Sequence, residues 1–209
     1  MSIYRDKEII QIFVIDDGEG IFKRITRIFE LADERHAIME LSKGKLTTDP
    51  ENHTGEGIFF TSRMFDEFEI ESKGLNYSHY DLNNYDFLSD STISMEETGT
   101  MVVMVINIAS ERLIKNVFDN STEYKTVIPV KLAQYGNEKL VSRSQAKRLL
   151  TRIEKFQNVI FDFEDVTMVG QAFEDEIFRV YANKNVDIHL VPIKMTEDVK
   201  QMVDRALGK

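Results

Sequence analysis

Asp16, Gly18 and Gly20 form an Asp-x-Gly-x-Gly turn directly after a dense run of β-formers, Glu8 to Ile15. A carboxylate at such a turn can accept a hydrogen bond from an adenine amino group, and the glycines let a ligand approach the backbone. A second pair, Gly55 and Gly57, precedes Ile58 at the start of a helical segment ending near Phe65. Helix N-terminal N–H groups attract anions such as phosphate. Between the two motifs the stretch Glu40 to Thr54 is polar and irregular, with Gly44 and Pro50 as breakers. Its Lys43 and Lys45 can reach phosphates. Either motif alone reads as an ordinary loop; the two together, each in its expected setting, point to a nucleotide.

The elements around these motifs follow from periodicity. Ile3-Tyr4 before the polar Arg5-Asp6-Lys7 reads as the end of a strand entering a hairpin, with partner residues expected upstream of Met1. Residues 21, 22, 25, 28, 29 and 32 are apolar, the spacing of an amphipathic helix over Ile21 to Ala32. Strands are expected over Glu67 to Ser72 and Tyr77 to Leu82, and a surface excursion over Asn83 to Thr98. Met101 to Ala109 is the most apolar run and predicts a central strand. A short helix is expected from Ser110 to Phe118, then a linker at Asn120 to Thr122. After it strands and helices alternate: a strand over Tyr124 to Leu132, a helix opened by the capping-box sequence Ser142-Arg143-Ser144-Gln145 and running to Phe156, and a strand over Val159 to Phe163. A helix over Gly170 to Ala182, a strand over Asp187 to Pro192 and a last helix capped by Thr196 complete the chain.

With these motifs in place, Ile12 to Ile108 resembles the C-terminal part of the gyrase and histidine-kinase type (GHKL) ATP-binding domain. The resemblance implies that Asp16, Gly18 and Gly20 bind adenine, that residues 36 to 54 form an ATP lid, and that Gly55, Gly57 and Ile58 cradle phosphate. Gly99-Thr100 matches the start of that fold's closing strand. The family also carries an upstream helix, the N box, that supplies a Mg²⁺ ligand and, in hydrolytic members, a general base. The fifteen residues before Asp16 read as strand, so no catalytic residue is expected here, and this chain is expected to bind rather than turn over nucleotide. ATP with Mg is the cofactor implied for an intact parent protein; in this chain affinity is expected to be weak or absent.

Val127 to Ala206 resembles a STAS-like domain of unknown function, on Ser142 to Leu150 (SRSQAKRLL) and Asp162 to Val180. STAS domains include anti-sigma-factor antagonists switched by phosphorylation of a Ser in an Asp-Ser-Ser-Gly turn. Gly170, Gln171, Ala172 and Phe173 lie over that turn here, so the phosphoacceptor is missing and a protein-binding surface is what remains implied. Ser142, Arg143 and Ser144 read as a helix cap rather than an anion site. Glu174, Asp175 and Glu176 read as first-turn acids complementing the helix dipole rather than a cation site, with Arg143 as a partner. His36, His53, His79 and His189 show no metal-ligand spacing. Met101, Met104, Phe173 and Phe178 read as core.

The 209-residue chain is 42% hydrophobic and 30% charged, enough apolar material for a core. It has no cysteine, which excludes disulfides, thiolate metal sites and a catalytic thiol. A formal charge of −10 argues against a nucleic-acid partner. No apolar run predicts a membrane span or a signal peptide, so a cytoplasmic protein without membrane contact is expected. The fold class is mixed α/β (α+β): a truncated GHKL-type α/β sandwich over residues 1–110, a connecting helix and linker over 111–123, and a STAS-like α/β domain over 124–209. The function this implies is a bacterial regulatory ATP-binding protein, or a fragment of one, joining a nucleotide module to a partner-binding module. An ATPase or protein kinase of the same superfamily and an interaction fragment with a dead pocket are the alternatives. Apolar positions Ile10, Ile12 and Val14 on one strand face, with Phe13 and Ile15 on the other, predict a homo-oligomer formed through the N-terminal half.

Overall fold

The computed structural model describes residues 1–47, 55–80, 85–91, 99–113, 117, 125–134 and 138–208. It contains two compact units, Met1–Asn120 and Ser121–Lys209. The architecture is mixed α/β, with an antiparallel sheet in the first unit and a parallel sheet in the second.

The first unit is one six-stranded sheet in the order β1-β2-β6-β3-β4-β5, with β1 Ser2–Arg5, β2 Ile9–Asp16, β3 Glu67–Ser72, β4 Leu75–Tyr80, β5 Tyr85–Asp90 and β6 Thr100–Asn107. β1 and β2 form a hairpin because Asp6 Oδ1 accepts from the N–H groups of Glu8 and Ile9 at 2.7 and 2.9 Å. Ile3 thus pairs with Ile12 inside this chain, correcting the expectation of an upstream partner. Lys73 and Gly74 both take positive φ, the requirement of the two-residue β3–β4 turn. β6 lies between β2 and β3, as its apolarity predicts.

Register puts Ile12, Met104 and Phe68 in one row across the sheet, and Val14, Val102 and Ile70 in the next. Three helices cover this face: α1 Ile21–Ile28, α2 Glu34–Lys43 and α3 Gly57–Met64. Phe22, Ile25, Ala37, Ile38 and Leu41 pack with Phe68, Ile70 and Tyr77 into one buried cluster, with Ile58 at its margin. Fully burying side chains of this size contributes about 1.5–3 kcal/mol each.

Two expectations for this unit need correction. The first helix stops at Ile28, and Asp33 caps a second helix by accepting from the His36 N–H at 2.8 Å. That helix runs to Lys43, so the first residues of the expected lid are helical and buried. Ala37, Ile38 and Leu41 are at helical spacing, and burying them outweighs the polarity of Glu40, Ser42 and Lys43. Likewise β5 occupies part of the expected surface excursion, because it pairs with β4 along its whole length and puts Asp86 and Leu88 on the helix-bearing face. Of the helix expected from Ser110 to Phe118, residues 110–113 are described and are not helical, whereas the linker at Asn120 to Thr122 and His53 lie outside the described residues.

The second unit is a three-stranded parallel sheet, β7 Lys125–Pro129, β8 Asn158–Asp162 and β9 His189–Ile193, in sequence order. Its helices are α4 Arg143–Leu150, α5 over residues 171–184, and α6 Glu197–Ala206. α5 is α-helical over Gln171–Glu174, π-helical over Asp175–Tyr181 and α-helical again over Ala182–Lys184. Ile128, Val159, Phe161, Leu149, Phe173, Ile177, Val199 and Val203 belong to the buried core. The strand expected to reach Leu132 ends at Pro129 and becomes a 3₁₀ turn, Val130–Ala133. α4 ends at Leu150 rather than Phe156, since Arg152 is left-handed at φ 58, although Ile153 and Phe156 remain buried.

Candidate functional site

The Asp16–Gly20 turn links the end of β2 to the start of α1. Asp16 Oδ1 accepts from the Gly18 N–H at 2.8 Å, closing a small side-chain turn, and Asp16 is exposed. The Gly99 N–H donates to the Gly18 carbonyl at 2.7 Å. Ser72 Oγ donates to the Gly99 carbonyl at 2.7 Å, and the Ile21 N–H donates to Thr100 Oγ1 at 3.0 Å. The turn is therefore held by the starting residues of the neighbouring central strand. Gly99 has φ +97, and a Cβ there would collide with the Asp16 carbonyl oxygen. Gly20 has φ +87, and a Cβ there would meet Ser72 Oγ at 2.6 Å. Both positions combine a left-handed backbone with a close approach, so neither accepts a side chain.

The second motif stands beyond the segment 46–55. Leu46 N–H donates to the Gly55 carbonyl at 3.0 Å, drawing the ends of that segment together. Gly57 is the first residue of α3, exposed with open space where a Cβ would stand. Glu56 precedes it without a side-chain capping bond, and Ile58 is half-buried against the core. The two lysines part company. Lys45 is half-buried with φ 53. Lys43 is 2% exposed, its Nζ on the equally buried Glu40 carboxylate, so the expected phosphate contact is replaced by an internal ion pair.

A buried polar network beside α3 was not visible in the sequence. Asp86 of β5 accepts from the Tyr77 phenol at 2.8 Å, lies 3.0 Å from His79 Nδ1, and meets Arg63 Nη2 at 3.1 Å. Burial pushes the Asp86 carboxyl up, but Arg63, then His79 and Tyr77, outweigh it and hold it below the usual carboxylate range. Burial, then the Asp86 charge, pushes the Tyr77 phenol far up. Arg63 also lies over the Phe59 ring, 3.9 Å from its centroid. Register was the missing signal: positions 77, 79 and 86 share the α3-facing side only once β4 and β5 pair.

In the second unit the capping box of α4 is complete. Ser142 Oγ accepts from Gln145 N–H at 3.2 Å, and Gln145 Oε1 accepts from Ser142 N–H at 3.0 Å. A cavity of about 630 Å³ opens beside it, lined in part by Lys139, Val141, Ser144 and Arg148. Of the three acids opening α5, Asp175 makes a two-pronged pair with Arg179 at 3.0 and 2.7 Å, and Glu176 lies 3.9 Å from Arg143. Glu174 departs from the expectation of a dipole-complementing surface acid. It is 1% exposed and both its oxygens are unbonded among the described residues. Burial pushes its carboxyl up to about 8.

Among the described residues no group of three or more His, Asp or Glu side chains could hold a metal ion, and no helix is long and apolar enough to cross a membrane. No curated protein and no solved structure matches the chain. Residues 145–200, from α4 into α6 of the second unit, match a family described as STAS-like domain of unknown function (DUF4325).

Proposed function

We propose that this is a regulatory protein in which a nucleotide-binding first unit is joined to a STAS-like unit that binds a protein partner. One observation carries the reading: the Asp16–Gly20 turn, held by Gly99, Ser72 and Thr100, leaves Asp16 and Gly18 at the surface. Such a turn presents an acceptor to an adenine amino group and lets the ring approach the backbone. ATP with Mg is the proposed ligand, and the GHKL-type fold is the proposed frame. The exposure of Asp16 limits what its hydrogen bond contributes, since water competes for the acceptor, so affinity in residues 1–209 is weak.

The protein acts by binding rather than by turnover. Asp86, the buried carboxylate beside α3, is occupied by Arg63, Tyr77 and His79 rather than poised to activate water. Phosphate release from MgATP should match the protein-free background. Release above it that disappears in Asp16→Ala would instead make the chain an ATPase.

The STAS-like unit is the proposed seat of the protein partner, and the first unit's proposed partner is a second copy. Ile3 is 62% exposed and Val14 38% exposed on the helix-bearing face of the sheet, where they continue the rows of Met104 and Val102. Among the described residues β1 is an edge of that sheet, and an edge strand offers backbone groups for pairing. Light scattering at micromolar concentration should give at least a dimer, and Ile3→Lys should shift it toward monomer. A clean monomer removes this part of the proposal.

A further inference from the structure

The helix α5 changes register where an unsatisfied acid is buried. Glu174 ends the first α-helical turn, and the π-helical stretch Asp175–Tyr181 begins at the next residue. π-helical turns are rare and cost regular backbone bonding, so they persist where the surrounding packing imposes them. Here Phe173, Ile177 and Phe178 are buried in the core of the second unit. Burying a carboxyl without a hydrogen bond is a second local cost at the same place.

We propose that α5 is a two-state element latched by Glu174. In the closed state the neutral acid lies in the core and the helix keeps its π register. In the open state an ionised Glu174 reaches water and the 171–184 segment loosens from α4 and α6.

The groups around Glu174 give its charge no compensation. α4 packs on α5 and buries Ala146, Leu149 and Leu150, with Arg143 directed to Glu176, Lys147 exposed and Arg148 half-buried. α6 also packs on α5 and buries Val199, Val203 and Ala206, while Glu197, Asp198, Lys200 and Arg205 are exposed and Asp204 is half-buried. On α5 itself Asp175 and Arg179 satisfy each other. Lys194, just after β9, is bound to Asp162 and Glu164. Desolvation is the sole cause of the raised Glu174 carboxyl. Its ordinary value of 4.5 returns once the side chain is solvated, so opening becomes easier as pH rises from about 5 toward 8. The element lies within the second unit and works whether or not the first binds nucleotide.

Hydrogen exchange on the full chain, resolved by peptide and corrected for the intrinsic pH dependence of exchange, tests this. Protection of residues 171–184 should fall about tenfold per pH unit between pH 5 and pH 7.5. The β8 strand should remain protected after 171–184 has opened. Glu174→Gln, and Glu174→Met should the amide fail to fold, should hold protection of 171–184 constant across that range. Unchanged wild-type protection, loss that persists in both variants, or protection of 171–184 no lower than that of β8 at every pH overturns the proposal.

Discussion

Asp86→Ala should destabilise the first unit by about 3–5 kcal/mol, the usual result of leaving one member of a buried ion pair without its partner. The Arg63 guanidinium is the group left behind: its side chain is 19% exposed and its charge faces Asp86 at 3.1 Å. Tyr77 and His79 lose the same acceptor, and both are 1% exposed. Arg63 lies in the same short helix, Gly57–Met64, as the glycine of the second motif. Loosening the last turn of that helix therefore also loosens its glycine-bearing end. Urea denaturation of the variant, read by native-state exchange of the β3 and β4 amides, checks this. A loss below about 1 kcal/mol would mean that the network contributes little.

Replacing Glu174 should have the opposite sign, and the effect should depend on pH. Its carboxyl ionises near 4.5 when solvated and at about 8 when folded. A raised folded value means that stability fully present below 4.5 is lost as pH rises through 8. Across that window the loss is roughly 5 kcal/mol, at about 1.4 kcal/mol per pH unit. Glu174→Met removes the ionisation and puts an apolar group of similar length in the same buried place. The variant's stability margin over the wild type should widen by about 3 kcal/mol between pH 4.5 and pH 7. Exchange of the β8 amides under native conditions measures this for the second unit within the full chain. A margin that stays constant with pH would mean that Glu174 finds a partner when ionised.

The parts legible in the sequence were those set by local chemistry. The Asp16–Gly20 turn follows a β-former run, the Ser142–Gln145 capping box satisfies its own backbone groups, and the Met101–Ala109 run is too apolar for an edge. What escaped depends on partners distant in sequence. Lys43 looked like a loop cation until the Asp33 cap extended α2 through it. The Asp86 cluster unites residues from α3, β4 and β5, which only the strand register brings together. Glu174 looked like a first-turn acid because the helix start was read correctly, while its rotation toward the core was not legible from spacing alone.

Isothermal titration of the 209-residue chain with MgATP tests the nucleotide reading most directly. The expected result is weak, saturable binding with a dissociation constant above about 100 μM. Asp16→Ala should weaken it several-fold, because the adenine acceptor is gone. Micromolar affinity, affinity unchanged by Asp16→Ala, or no heat at millimolar nucleotide would contradict it.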